Sequence, residues 1–292
     1  MDLLFNNYMK SSGNGDTWHV DISPATYNPD TYFKETLKTL RYVYENKCGN
    51  LYVLYSGGMD SEYVCECLLH LGMKFTPIIV KLLPNYNEHD IKYAIEFCER
   101  KNLKPIIYDV DYDKFVESGK IVEIAENMRS CSFRMPATML PMLEIDGFFL
   151  LGNDPPYMRL NNGVWQLEEE EVIHSILNFY KHYNIKGCPF VLSYTPEMML
   201  SFLRDPTMFD LANHKIPGKL GTNSTKVHVF NNNDGAFTIQ NRQKYTGYEY
   251  VLSSDIFKHP NIQLLESYRP KWNGCYKVDY DIIVKQLSVN LN

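Results

Sequence analysis

Between residues 51 and 151, short β-rich runs alternate with helix-length amphipathic segments, and few architectures accommodate that alternation. Leu51–Tyr55, Phe75–Lys81, Pro105–Val110 and Phe148–Leu151 are strand-sized and rich in β-branched or aromatic residues. Ser61–Leu71 places Val64, Leu68 and Leu71 on one face, with Gly72 as a stop signal. Glu88–Lys101 turns Ile91, Ala94, Ile95 and Cys98 inward, and Lys114–Asn127 reads as a further helix. Parallel strands joined by right-handed helical crossovers account for this order. The expectation is an α/β fold whose ligand site lies at the carboxyl ends of the strands, where strand order reverses.

The flanks differ in texture. Thr31–Asn46 carries Phe33, Leu37, Leu40 and Tyr44 at helical spacing. Beyond Asn162, Glu168–Asn184 reads as one long helix with Val172, Ile176, Phe179 and Tyr183 as its stripe, and Pro196–Arg204 as a shorter one. Asp205–Ser224 holds two Pro and two Gly and reads as a loop. Val227–Tyr250 is polar and irregular, and Asp279–Leu291 closes as a helix. This divides the chain into an extension over 1–46, an α/β unit over 47–160 and a mainly helical or irregular region over 161–292.

Composition excludes several classes. Lys plus Arg number 29 against 35 Asp plus Glu, a net charge of −6, which disfavours a broad DNA-binding surface. The seven cysteines are scattered without a C-x-x-C, so structural zinc is not expected and reduced thiols are. The apolar runs are too short to cross a bilayer, and the start of the chain has no signal-peptide pattern. The expected location is the cytoplasm, including that of a virus- or phage-infected cell, because abundant Asn, Tyr and Lys with little Ala suit an AT-rich genome.

Ser56-Gly57-Gly58-Met59-Asp60-Ser61 is the sharpest chemical signal, set between a predicted strand and a predicted helix. Unpaired N–H groups and the dipole of a helix start attract an anion. Two glycines allow close backbone approach to phosphate oxygens, and two serine hydroxyls add donors. Asp60 beside a polyphosphate makes sense as a helix cap, as a Mg²⁺ ligand, or as both. The loop lacks the lysine of a Walker A motif, so compensating charge must come from a metal and from basic residues elsewhere.

SGGMDS matches the SGG-x-DS loop in full, and the chain from about 48 to 160 resembles the PP-loop ATP pyrophosphatases, the adenine nucleotide alpha hydrolase superfamily. The resemblance implies a five-stranded parallel Rossmann-like sheet with helices on both faces. It implies ATP and Mg²⁺, with the pyrophosphate on Ser56, Gly57, Gly58, Asp60 and Ser61. It further implies attack by a substrate oxygen on the α-phosphate, followed by displacement of the adenylate by a nitrogen or sulfur nucleophile. Asp60, Ser61, Arg134 and Lys244 are the expected catalytic residues.

Other residues fall into this frame. Val80 and Lys81, at the end of the second predicted strand, correspond to the family's backbone cradle for adenine; Lys81 equally fits the start of a surface loop. Gly152 and Asp154 follow the fourth strand, where family members bind nucleotide and Mg²⁺, and they also fit a turn before Pro155-Pro156. Arg129, Arg134 and Arg159 flank that strand as candidate phosphate cations. Lys226, Arg242, Lys244 and Glu249 either clamp a substrate or the departing pyrophosphate, or form ordinary polar surface. Glu168–Glu171 is expected to open a helix, where negative charge suits the dipole, ahead of a metal-binding role.

Second signatures of the known branches are missing. Position two is Asp2 rather than the cysteine of glutamine-using members, and there is no zinc-binding cysteine cluster. Cys275 lies in Trp272-Asn273-Gly274-Cys275-Tyr276, unlike the tail motif of sulfonucleotide reductases. Cys131 and Cys188 have no recognisable partner, and His174 and His182 are too far apart along a helix to share a metal. Three readings follow: an AMP- and pyrophosphate-forming adenylating enzyme, a sulfonucleotide reductase-like enzyme, and a non-catalytic adenine-nucleotide binding protein. For the first, the acceptor is a small molecule or a nucleobase of tRNA, and a separate protein donating nitrogen or sulfur, or a homodimer, is compatible with the chain.

Overall fold

A computed structural model describes residues 9–12, 19–152, 157–170, 172–212, 222–242, 249–288 and 291. Strands β1 (Met9–Ser12) and β2 (His19–Ile22) form an antiparallel ribbon ahead of helix α1 (Tyr32–Asn46). Thr31 caps α1, its hydroxyl accepting from Lys34 N–H at 3.4 Å, and Phe33, Leu37, Leu40 and Val43 form the buried stripe.

The centre is a five-stranded parallel sheet built from β3 (Leu51–Leu54), β4 (Thr76–Leu83), β5 (Ile106–Asp111), β6 (Phe148–Leu151) and β9 (Gly187–Cys188). Its order is β5-β4-β3-β6-β9, and every pairing is parallel. Val53, Ile79, Phe148 and Leu150 are completely buried, as strands covered on both faces must be. The α/β Rossmann-like expectation therefore holds. The order runs outward from β3 in both directions, so the crevice between β3 and β6 is the topological switch point.

Helix α2 (Met59–His70) follows β3, and α3 (Glu88–Arg100) joins β4 to β5. The predicted helix over Lys114–Asn127 is two helices, Tyr112–Glu117 and Lys120–Met128. The break is at Gly119, whose φ of +77° suits glycine and no other residue well.

A second sheet was not expected. Strands β7 (Tyr157–Asn161), β8 (Val164–Glu170) and β10 (Cys275–Asp279) make an antiparallel sheet in the order β10-β8-β7. Glu168–Glu170 thus belong to a strand, and the helix after them is confined to Val172–His182. The hairpin turns at Asn162-Gly163, with φ of +49° and +81°, the Asn-Gly pattern favoured by tight hairpins. Asp205–Ser224 is also not simply a loop: Pro206–Ala212 is helical, and another helix spans Thr222–Asn231. Asp205 Oδ1 accepts from Thr207 N–H at 2.9 Å at the start of the first. Tyr280–Leu287 forms the final described α-helix. Among the described residues no helix is long and apolar enough to cross a membrane.

Candidate functional site

The Ser56–Ser61 loop leaves the carboxyl end of β3 and enters α2 at the switch point. Gly57 has φ of +81°, and a Cβ there would overlap the backbone carbonyl oxygen of Asp90 in the first turn of α3. Gly58 occupies the N-cap position of α2 in extended conformation and contributes no side-chain cap. The backbone N–H groups of Met59, Asp60 and Ser61 donate to no described backbone group, as expected for a helix start. Gly58 N–H makes a 3.3 Å bond to Ser56 Oγ, and Ser61 Oγ donates to Gly58 O at 3.0 Å. The two serine oxygens lie 3.3 Å apart, so both hydroxyls face the same turn.

Gly152, at the exit of β6, completes the wall. A Cβ on it would overlap Ser61 Cα and lie 2.7 Å from Ser61 N. Only glycine lets β6 end directly against the first turn of α2. The neighbouring strands at the switch point therefore supply Ser56–Gly58 and Gly152.

Cations arrive from far along the chain. Lys226 Nζ lies 3.1 Å from Asp60 Oδ2, with its side chain 4% exposed. Helix packing explains the reach. Phe230, one turn after Lys226, stacks on Tyr63 with ring centroids 4.1 Å apart, and Tyr63 is one turn after Asp60. The pair of contacts zips the Thr222–Asn231 helix against α2. Asp60 Oδ1 is buried and accepts no hydrogen bond from a described residue.

Arg242 Nη1 donates to Gly57 O at 3.0 Å, and its Nη2 pairs with Glu62. Glu62, almost wholly buried, also accepts from the Tyr55 hydroxyl at 3.0 Å and faces Arg100 at 3.6 Å. The Arg242 guanidinium lies 5.0 Å from the Tyr93 ring centroid, a cation–π contact. Burial opposes its charge, but Glu62 outweighs burial and raises the pKa of Arg242. Burial, reinforced by Glu62, raises that of the Tyr55 hydroxyl.

The first turn of α3 adds a charged cluster. His89 Nε2 is 3.8 Å from Asp90 and 3.5 Å from Glu249, and its ring meets Tyr250 edge-on at 4.8 Å. Burial raises the Asp90 carboxyl above its ordinary value, against the pull of His89 and Arg134. The positive charge of Arg134, just before the Met135–Thr138 helix, acts on Asp90, whose carbonyl a Cβ on Gly57 would overlap.

The remaining sequence candidates separate. Strand β4 continues past Lys81 to Leu83, so Val80 and Lys81 lie within it. The Asn87 side chain bridges it, donating to Val80 O and accepting from Leu82 N–H, each at 2.8 Å. Arg159 pairs with Glu168 at 2.9 Å, and Lys277 takes the other Glu168 oxygen at 2.8 Å. Glu168 therefore anchors β7 and β10 from within β8 instead of opening a helix. Cys188 is buried in β9, where burial pushes its thiol up to about 12. Cys275 is exposed on β10. Lys244 and Asp154 lie outside the described residues. A groove of about 260 Å³ borders Asp146, Tyr183 and Lys186, near the amino ends of β6 and β9 and opposite the loop.

Glu62, Asn87, His89 and Tyr93 carry no spacing signal, because their partners lie on other elements; Lys226, Arg242 and Glu249 stand out only as polar residues in an irregular stretch. Among the described residues no three His, Cys, Asp or Glu side chains converge to hold a metal by themselves. A single carboxylate nevertheless suits Mg²⁺, which keeps several waters and takes phosphate oxygens as its other ligands. The orphaned Asp60 Oδ1 fits that role. No protein-family model and no curated protein matches the chain.

Proposed function

We propose that the protein binds ATP across the switch point and cleaves it between the α- and β-phosphates while adenylating an acceptor. The observation that carries this reading is the convergence on one helix turn of the Met59–Ser61 amides, Gly57 and Gly152 as close-approach positions, and Lys226 held against Asp60. The amides and the Ser56 and Ser61 hydroxyls hold the β- and γ-phosphates. Lys226 supplies the positive charge that a Walker A lysine supplies elsewhere, and Arg134 approaches from the α3 side. Asp60 is the residue to hold Mg²⁺, which when bound neutralises charge on the departing pyrophosphate. An acceptor oxygen attacks the α-phosphorus, the bond from that phosphorus to the bridging oxygen breaks, and pyrophosphate leaves with the electron pair. Catalysis rests on positioning and on charge already in place. A nitrogen or sulfur nucleophile then displaces AMP from the adenylated acceptor, a small molecule or a nucleobase.

The test is calorimetric titration with ATP and MgCl₂, followed by chromatography of the products. ATP binding with AMP and pyrophosphate formation supports the reading. ADP and phosphate as products, or no ATP binding by the folded chain, defeats it. Binding without any product assigns the chain to nucleotide-binding proteins that do not catalyse.

A further inference from the structure

Strand β4 outruns β3 at the switch point. Beyond β3, Tyr55 N–H still donates to Ile78 O at 2.8 Å, and the chain then turns into the Ser56–Ser61 loop. On its other side β4 stays paired with β5 as far as Leu83 and Asp111. Every second residue of a strand turns its N–H and C=O to the same edge, so Ile78, Val80 and Leu82 all face the side that β3 vacates. The next rung on that edge is Val80 C=O and Leu82 N–H, an acceptor and a donor side by side.

The carboxamide of Asn87 fills this rung. Its NH₂ donates to Val80 O and its oxygen accepts from Leu82 N–H, each at 2.8 Å, as a peptide group of a longer β3 would. The partners fix the orientation of the amide, because the flipped form sets oxygen against oxygen and N–H against N–H. Asn87 is buried, and its carbonyl accepts from the N–H groups of Asp90 and Ile91 at 3.1 and 3.2 Å. Asp90 is also the residue whose carbonyl a Cβ on Gly57 would overlap, so one turn of α3 holds both the amide and the loop. Adenine carries the same pair of groups, an amine donor beside a ring-nitrogen acceptor, and reaches this edge of β4 by displacing the amide. Guanine carries the pair in reverse order.

We infer that Asn87 takes the place of a nucleobase on β4, so that the site selects its ligand by the phosphate chain and takes nucleoside triphosphates with little regard to the base. The inference rests on the function proposed above and widens its substrate from ATP to that class. It departs from the adenine cradle expected at Val80 and Lys81: the Val80 carbonyl is engaged, and Lys81 turns its backbone toward β5.

The experiment is calorimetric titration of the full chain, in MgCl₂ throughout, with the α,β-methylene analogues of ATP and GTP, which resist cleavage between those phosphates, and with inorganic tripolyphosphate. The native protein should bind the two analogues within about threefold of each other. Asn87→Ala frees Val80 O and Leu82 N–H and should favour the ATP analogue over the GTP analogue about tenfold, the scale of two hydrogen bonds to a base edge, with tripolyphosphate affinity unchanged. Asn87→Ser keeps a hydroxyl at the start of α3 but is too short to bridge the strand; it should show the same preference, and it replaces the alanine variant should that fail to fold. A native preference beyond that threefold range for either analogue overturns the inference, as does a ratio in the folded variants that stays at the native value. If the folded native protein binds neither analogue, the function proposed above falls instead. Should neither variant fold, the native ratio decides alone.

Discussion

Asp60 and Glu168 are both acids held by lysine from a distant segment, yet they are satisfied to different degrees. Glu168 is buried on β8, and both its oxygens are engaged: Arg159 at 2.9 Å on one, Lys277 and Asn161 at 2.8 Å each on the other. Asp60 has one oxygen on Lys226 and one buried oxygen with no donor among the described residues. A saturated acid ties strands together and has no capacity left for a ligand. An under-coordinated acid at a helix start, beside unpaired amides, retains a site for one. The glycines repeat the contrast. Gly57 and Gly163 share φ of +81°, but a Cβ on Gly57 would meet α3 backbone, whereas one on Gly163 would meet nothing within 4 Å.

The glycine pair offers the strongest way to break this comparison. Gly57→Ala combines a disfavoured φ with overlap of a backbone carbonyl that cannot rotate away. The expected cost is about 3 kcal/mol, a fall of roughly 6 °C or more in melting temperature. Gly163→Ala incurs the conformational part alone, about 1 kcal/mol. Equal melting shifts in the two variants would show that the loop is not packed against α3. Next in size is Asp60→Ala, which should lower pyrophosphate release at least about a hundredfold, and which also lowers the melting temperature because the buried Lys226 ammonium loses its carboxylate. Steady-state turnover beside a melting curve separates the two effects.

Arg242→Ala tests the latch between the loop and the segment carrying Arg242. It leaves Glu62 buried with only the Tyr55 hydroxyl and the more distant Arg100, at an expected cost of about 2 kcal/mol. Arg242→Lys should recover less than half. An ammonium on a flexible stem does not reproduce the planar fork that serves Gly57 O and Glu62 while stacking on Tyr93. Chemical denaturation of the three proteins provides the comparison, and full recovery by lysine would reduce Arg242 to a point charge.

The parallel sheet was legible because strands buried on both faces leave continuous apolar runs, and Leu51–Leu54 and Phe148–Leu151 are such runs. The antiparallel sheet was not. Four successive glutamates, Glu168–Glu171, imitate the acidic first turn of a helix, and they obscured both the strand and the Asn162-Gly163 hairpin signal, which was present but unused. The loop itself is local chemistry, so its residues, its strand before and its helix after can be read from six positions. What holds it in place is not local. Lys226 was visible as one cation among several, but its selection depends on Phe230 stacking on Tyr63 across 167 residues of chain. Arg159 was visible only by its adjacency in sequence to the fourth strand, and its pairing with Glu168 on β8 has no local signal either.

Glu168→Gln has the smallest expected effect and isolates the structural acid. Burial raises the Glu168 pKa, but Lys277, Asn161 and Arg159 together outweigh it and hold the carboxyl below its ordinary value. A folded-state pKa below the unfolded one means that the ion pairs stabilise above the ordinary glutamate value of 4.5, and that this stability is lost as pH falls through the lowered folded value. Arg159 and Lys277 are each about half exposed, so solvent screening limits the loss at neutral pH to about 1 kcal/mol. The native protein should therefore lose its margin over the variant as pH falls below the ordinary glutamate value, with the two melting curves converging in acid. ATP cleavage should be unchanged by this substitution, because the described partners of Glu168, namely Arg159, Asn161 and Lys277, lie on β7 and β10. A variant that kept its fold and lost turnover would join the two acids into one system and dissolve the distinction between them.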